Sequence, residues 1–282
     1  LNRRLITNLG LLLLVAVLGL VAWLQPGLQK EETGTPLSTI DPASVSRLVV
    51  ERTGFETVVL EKEAGEWMMR EPVAVPASAA RIDALLAVLA EPVRASFPAA
   101  EVDLASFGLD APRVRLQVDG MEVAFGGTEP ISHRRYVRIQ DRVALIEDEH
   151  YIWLQGGASD FVSRQLLPPE VTITLLELPG VVLRRSDDAA AWEVTPAEAM
   201  SAEDAARVVR EWQQAYALAV ERRGAPASDD VKQIRLRLGD GRELEFIMAG
   251  DEDDLLFVRA DLGVAWRVSA AQAARLLGES GS

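Results

Sequence analysis

Residues 114–125 read Val-Arg-Leu-Gln-Val-Asp-Gly-Met-Glu-Val-Ala-Phe, and residues 234–246 read Ile-Arg-Leu-Arg-Leu-Gly-Asp-Gly-Arg-Glu-Leu-Glu-Phe. Each is an apolar/polar alternation broken by Asp-Gly, the pattern of a β-hairpin whose strands bury one face and wet the other. That the pattern occurs twice decides the fold, because the surroundings of the two hairpins also match. Ahead of the first lie strand-like runs at Arg47–Arg52, Thr57–Lys62 and around Trp67; ahead of the second lie Val171–Leu176, Val181–Arg185 and Trp192–Val194. Between these runs and each hairpin sits a helical stripe with apolar residues at i, i+3, i+4, i+7 and i+11. The stripes are Ile82, Leu85, Leu86, Leu89 and Val93 in one case, and Ala205, Val208, Val209, Trp212 and Tyr216 in the other. Ser78 and Ser201 precede the helices as N-cap candidates, with Asp204 placed for a capping box. After each hairpin come two more strands, Tyr136–Ile139 with Val143–Ile146 and Leu256–Arg259 with Ala265–Val268. A short helical segment closes each copy, near Glu147–Leu154 and Ser269–Leu277.

The expected fold is therefore α+β, with two tandem repeats of an antiparallel sheet carrying a packed helix. The first spans residues 45–168 and the second 169–282, each about 120 residues, an ordinary domain size.

The chain ahead of the repeats has a different character. Residues 5–24 are uncharged and predominantly apolar, and they follow Arg3 and Arg4. As a helix this stretch covers about 30 Å, the thickness of a bilayer's hydrocarbon core. The basic pair before it keeps the N-terminus cytoplasmic under the positive-inside rule. Residues 1–24 are thus expected to be a cytoplasmic tip and single transmembrane helix, and the bulk of the chain to be periplasmic, at an inner membrane. A cleaved signal peptide is the competing reading, but cuts after Gly19 or Ala22 lack the small-residue pattern of a cleavage site. Residues 25–44, with three prolines and two glycines, read as a flexible linker.

Composition narrows the function. The net charge is −14, and because residues 1–24 hold two arginines and no acid, the exported part is more acidic still. That disfavours nucleic acid and anionic lipid headgroups as partners, since both require a cationic surface. There is no cysteine, so disulfides, thiol catalysis and thiolate metal sites are out of reach.

Four short stretches carry a resemblance: Trp67-x-x-x-Glu71-Pro72, Phe107-Gly-Leu-Asp-Ala-Pro112, Phe125-Gly126 leaving a strand, and Tyr136-Val137 entering the next. The chain resembles the bacterial envelope family designated domain of unknown function 4340. The resemblance covers about residues 40–280, with Phe-Gly-Leu-Asp-x-Pro its most specific element. It implies one N-terminal anchor, an exported domain and, for some members, an auxiliary role beside ABC transporters of the gliding-motility type. It supplies no catalytic residues. Residues 107–112 themselves read as turn chemistry, with Gly108 relaxing the backbone and Pro112 starting a strand.

The residues offer little chemistry. His133 begins His-Arg-Arg-Tyr, which could bind an anion but is read as the polar opening of a strand. His150, in Glu147-Asp-Glu-His-Tyr, lies where acids complement the first turn of a helix. The two histidines have no metal-ligand spacing, and Asp251–Asp254 lacks the pattern of a calcium loop. No nucleophile elbow, phosphate loop or dinucleotide fingerprint occurs. The expectation is a protein that is not an enzyme, with no catalytic, cofactor-binding or metal site and no cofactor. It would be a non-catalytic single-pass inner-membrane protein serving as an accessory or scaffold in a membrane-protein complex, such as an ABC-transporter assembly. Two alternatives stand beside it. A lipid- or glycan-binding module would need a concave apolar pocket between the repeats, and an envelope hydrolase would need converging buried carboxylates.

Overall fold

A computed structural model describes residues 34–186, 191–224, 231–250 and 255–279. The chain divides at residues 35 and 36, and Pro36–Ser282 forms one compact unit. Its two antiparallel sheets contain β1 (Arg47–Arg52), β2 (Val58–Glu63), β3 (Glu66–Glu71), β4 (Val75–Pro76), β5 (Ala95–Pro98), β6 (Val114–Val118), β7 (Met121–Thr128), β8 (Arg135–Ile139) and β9 (Arg142–Ile146), then β10 (Ile173–Leu178), β11 (Val181–Arg185), β12 (Trp192–Thr195), β13 (Ala219–Arg222), β14 (Gln233–Leu238), β15 (Glu243–Gly250), β16 (Leu255–Arg259) and β17 (Val264–Val268). The helices are α1 (Ala79–Ala87), α2 (Tyr151–Leu154), α3 (Ala202–Gln213) and α4 (Ala270–Leu277).

The first sheet runs β4-β3-β2-β1-β6-β7-β8-β9-β5 and the second β12-β11-β10-β14-β15-β16-β17-β13. Apart from β4, the two orders are the same element for element. Trp67 and Trp192 occupy matching places: Trp67 lies opposite Lys62 across β2 and β3, and Trp192 opposite Arg185 across β11 and β12. Both are half-buried.

Alternation places the core. Val114, Leu116 and Val118 of β6 and Ile234, Leu236 and Leu238 of β14 are buried. The side chains they pack with form one continuous cluster that includes residues of both sheets, α1 and α3. The repeats are therefore joined by a common interior. The connector between them contributes to it through Phe161, Leu166 and Leu167. Its backbone bonds both ways, Ser163 N–H to Pro76 O at 2.9 Å and Leu166 N–H to Ala215 O at 3.1 Å.

Several expectations need correction. The two Asp-Gly hairpins do not share a turn. Asp119 and Gly120 both take positive φ, as a two-residue loop matched to strand twist requires. In the second hairpin Gly241 is left-handed while Asp240 is not, and Leu238 N–H bonds Arg242 O, which makes a three-residue loop. There the Asp240 carboxylate accepts from the Arg242 N–H at 3.0 Å and fixes the turn. Strands β4, β5 and β13 go beyond the reading; β5 and β13 follow the helices in equivalent positions and close the far edge of each sheet. Helix α1 ends at Ala87 and passes into a 3-10 turn at Val88–Ala90, so Val93 lies past it. Helix α3 ends at Gln213, and Tyr216 is exposed rather than part of the buried stripe. Ser78 and Ser201 do cap their helices, accepting from Arg81 N–H at 3.4 Å and Asp204 N–H at 3.1 Å.

The linker expected over residues 25–44 is packed at its C-terminal end. Leu37 is fully buried, and its N–H donates to Glu91 O at 2.9 Å. A leucine in a proline-rich stretch can serve as a core residue once its backbone finds partners. The expected span at residues 5–24 lies outside the described residues. Among the described residues no helix is long and apolar enough to cross a membrane.

Candidate functional site

The residues singled out by the sequence serve mostly as struts. His133 is exposed in a turn at positive φ, its N–H donating to Glu129 O at 3.0 Å, rather than opening a strand. The arginines after it are held by acids: Arg134 Nε lies 2.9 Å from Glu147, and Arg135 pairs with Asp148. Arg135 also lies over the Tyr151 ring at 3.5 Å. Glu147 and Asp148 thus bind guanidinium groups instead of complementing a helix terminus, and α2 carries no acid in its first turn. The anion-binding option for residues 133–136 loses its cations to these pairs.

His150 Nε2 lies 3.0 Å from Glu91 and 3.6 Å from Glu149. These three side chains offer ligand atoms within 4.8 Å of one another, a set that could hold a divalent cation. Glu91 is buried, however, and already hydrogen-bonds His150. The contact ties the start of α2 to the segment that also holds Leu37. The two histidines do not converge, since His133 is not in this group. Asp251–Asp254 lies outside the described residues.

A second cationic group is built into the interior. Arg52 and Arg81 both lie over the Phe161 ring, with guanidinium carbons 5.0 and 4.9 Å from its centroid. Burial pushes both arginines below their ordinary pKa. Their donors go mainly to backbone carbonyls, Arg52 to Gly156 and Glu56 and Arg81 to Trp153 and Asp160. They fasten the connector to β1 and α1. Arg52 Nε is the one buried side-chain polar atom without a partner among the described residues.

The signature stretches meet one another. Gly108 takes positive φ, and a Cβ there would lie 3.2 Å from Gly127 N. A Cβ on Gly126 would clash with the Phe107 carbonyl oxygen and come within 2.8 Å of Leu109 Cγ. Phe107 and Tyr136 stack with centroids 4.4 Å apart. Leu109 is buried with Ala124 and Val143 on the side of the first sheet away from the main core. The motif is a lock on that sheet face.

What remains is a concavity between the repeats. A pocket of about 410 Å³ is lined by Gly65 and by Glu66, Trp67 and Met68 of β3, by Ala74, Pro76, Ala77 and Ala79, by Ser163 and residues 165–169 of the connector, and by Arg242, Leu244, Arg259, Leu262 and Trp266 of the second repeat. Its size falls within the range of small-molecule sites. Trp266 is nearly fully buried, and its indole N–H donates to Ser163 O at 3.0 Å. Arg259 is held at two points by Asp261, at 2.9 and 2.7 Å, and Arg242 by Asp240 at 2.7 Å. The hydrogen bond from Arg259 holds the Asp261 carboxyl below its usual pKa. The walls are largely apolar, the two arginines at them are matched, and Glu66 adds one exposed carboxylate. The sequence reading missed this site, although Leu166-Leu-Pro-Pro169 in a connector was a usable signal. The other half comes from residues brought together only by the pairing of the repeats.

The family model Domain of unknown function (DUF4340) matches residues 67–222. The chain belongs to the DUF4340 family. The match begins at Trp67 in β3 and ends at Arg222 in β13, so it takes in the signature lock, the connector and the first repeat's side of the pocket except Gly65 and Glu66. The DUF4340 span cuts across both sheets, and Leu244, Arg259 and Trp266 lie beyond it. No curated protein and no solved structure matches the chain.

Proposed function

We propose that this DUF4340 protein is a non-catalytic component of the bacterial envelope. Residues 5–24 anchor it in the inner membrane, and its folded unit serves on the periplasmic side as an accessory of a membrane-protein complex, such as an ABC-transporter assembly. The observation that carries the non-catalytic reading is the chemistry of the inter-repeat pocket. Its two arginines are matched by carboxylates at 2.7 to 2.9 Å, its one acid is the exposed Glu66, and its remaining walls are largely aliphatic, aromatic or proline. A hydrolase needs a base and an acid aimed at a common point, and the lining of this pocket holds no histidine and a single carboxylate, the exposed Glu66, with no second acid facing it.

The tether supports a role at the membrane. Residues 25–35 reach at most about 40 Å when fully extended, so an anchored chain works near the bilayer. Site-specific photo-crosslinking in native membranes tests the reading, with probes at exposed positions such as Ile131 and Leu218. Capture of membrane-transport subunits is the expected result. Turnover of an envelope substrate by the purified protein would overturn it.

A second reading has its own support: the pocket suits a ligand-binding module, whether free-standing or as the working part of the accessory.

A further inference from the structure

We infer that the pocket between the repeats receives a single fatty acyl chain, a conclusion that rests on the ligand-binding reading above and gives it a chemistry. The argument is one of matching surfaces. The deep wall is Trp266, Leu244, Leu166 and Leu167, all buried. Trp266 has already given its only donor to Ser163 O, so its ring offers apolar surface alone. Trp67, Met68 and Leu262 are half-buried and complete the enclosure, and an unbranched thioether such as Met68 adapts to the shape of a flexible chain.

Other ligand classes fit less well. A peptide strand needs backbone donors along one edge, and Pro76, Pro168 and Pro169 remove three of them from the lining. A glycan needs a dense set of polar partners for its hydroxyls. Here Ser163 O accepts from Trp266, and Ser163 Oγ accepts from the Gln165 N–H at 3.2 Å. A ligand charged along its length would give up its hydration beside arginines already matched by Asp240 and Asp261, with the exposed Glu66 as the one acid in the lining. An acyl chain requires none of these. Its methylenes gain by leaving water, and its polar head stays in solvent beside exposed Glu66, Gln165 and Arg242. A folded unit tethered by residues 25–35 is also within reach of a bilayer rich in such chains.

The test uses the full chain reconstituted into phosphatidylethanolamine and phosphatidylglycerol vesicles. The probe is an acyl chain bearing a terminal diazirine, supplied in one arm on phosphatidylethanolamine and in the other as the free fatty acid. After irradiation, mass spectrometry maps the labelled peptides. Label on residues 65–79, 163–169 or 242–266 in either arm is the expected result; the arm that labels identifies the source of the chain. Ala79→Trp fills the pocket mouth from an exposed position and should lower pocket labelling about tenfold, equivalent to about 1.4 kcal/mol in binding. Labelling of residues 5–24 by the phospholipid probe should be unchanged in that variant, and circular dichroism should show the same fold. Anchor labelling with no pocket labelling in either arm, or pocket labelling indifferent to Ala79→Trp, overturns the inference. Pocket labelling without anchor labelling leaves the acyl site standing and removes the membrane-anchor reading instead.

Discussion

The backbone carbonyl of Phe107 lies over Gly126 so closely that no side chain can stand between them. This contact joins two stretches that carry the family resemblance, Phe107-Gly-Leu-Asp and Phe125-Gly126. A methyl group on Gly126 would meet backbone oxygen on one side and Leu109 Cγ at 2.8 Å on the other, neither of which is a flexible side-chain end. Gly126→Ala should therefore destabilise the protein by about 1–3 kcal/mol, the usual cost of overpacking. Urea denaturation checks it. Gly224→Ala, where nothing lies within 4 Å and φ is not left-handed, is the control that should be near neutral.

The tryptophans should separate by burial. Trp212 is fully buried, donates its indole N–H to Leu276 O at 2.8 Å, and packs against Phe246 and Phe257 at 5.6 and 5.5 Å. Trp212→Ala should cost about 3–5 kcal/mol. Trp67 and Trp192 are half-buried, so the full cost estimated for complete burial does not apply to either. Their alanine variants should unfold at higher urea concentrations than Trp212→Ala, and at concentrations similar to each other.

The general plan was legible in the sequence because period-two alternation and the i, i+3, i+4 stripe are local signals. Val114 to Val118 and Ala205 to Trp212 declare their buried faces within a few residues of chain. The shared core was not legible, because Leu37, Phe161 and Leu166 sit in segments without periodicity and are buried by what packs on them. The same limit hid the pocket. Trp67 and Trp266 are far apart in sequence and line one site only because equivalent sheets pack around a common interior. The second Asp-Gly turn was misread for a smaller reason: Gly239 joins the loop, which the Leu238 N–H closes onto Arg242 O at 2.9 Å, while the Gly239 N–H turns away to Thr172 O at 2.8 Å.

Acid should weaken the hold on Arg259. The Asp261 carboxyl titrates below its ordinary value because Arg259 hydrogen-bonds it. A depressed carboxylate contributes stability that is present above the unfolded pKa and lost as pH falls through the folded one. The loss should begin near pH 4 and continue below it. Asp261 is 60% exposed, so solvent screening limits the effect to less than about 1 kcal/mol. Asp261→Asn should flatten the acid limb of the stability profile by that amount and leave neutral-pH helix and sheet content unchanged.

His150 should behave as a structural partner of Glu91. Its imidazole nitrogen lies 3.0 Å from a buried carboxylate, and truncation leaves that group short of a partner. His150→Ala should cost about 1–3 kcal/mol. A chelator should leave Tm unchanged in the parent protein, because the pair is satisfied without an ion. A fall in Tm on chelation, reversed by a divalent cation, would instead assign Glu91, Glu149 and His150 to a metal site.

The anchor should matter through proximity. A tether of about ten residues confines the folded unit near the bilayer and raises its effective concentration toward membrane-bound partners to about the millimolar range, so weak contacts suffice. The structure sets where a soluble form must begin. Leu37 is buried and bonded to Glu91, so an exported form starting at residue 40 would lose a core side chain as well as the anchor. A form starting at residue 34 keeps the packed strap and isolates the effect of tethering. Exported as a soluble protein, it should fold with unchanged Tm yet restore cellular function only weakly in a strain lacking the gene. Replacing residues 5–24 with an unrelated transmembrane span should restore function fully. Complete rescue by the soluble form would move the protein's work away from the membrane, to a diffusing ligand carried in the pocket between the repeats.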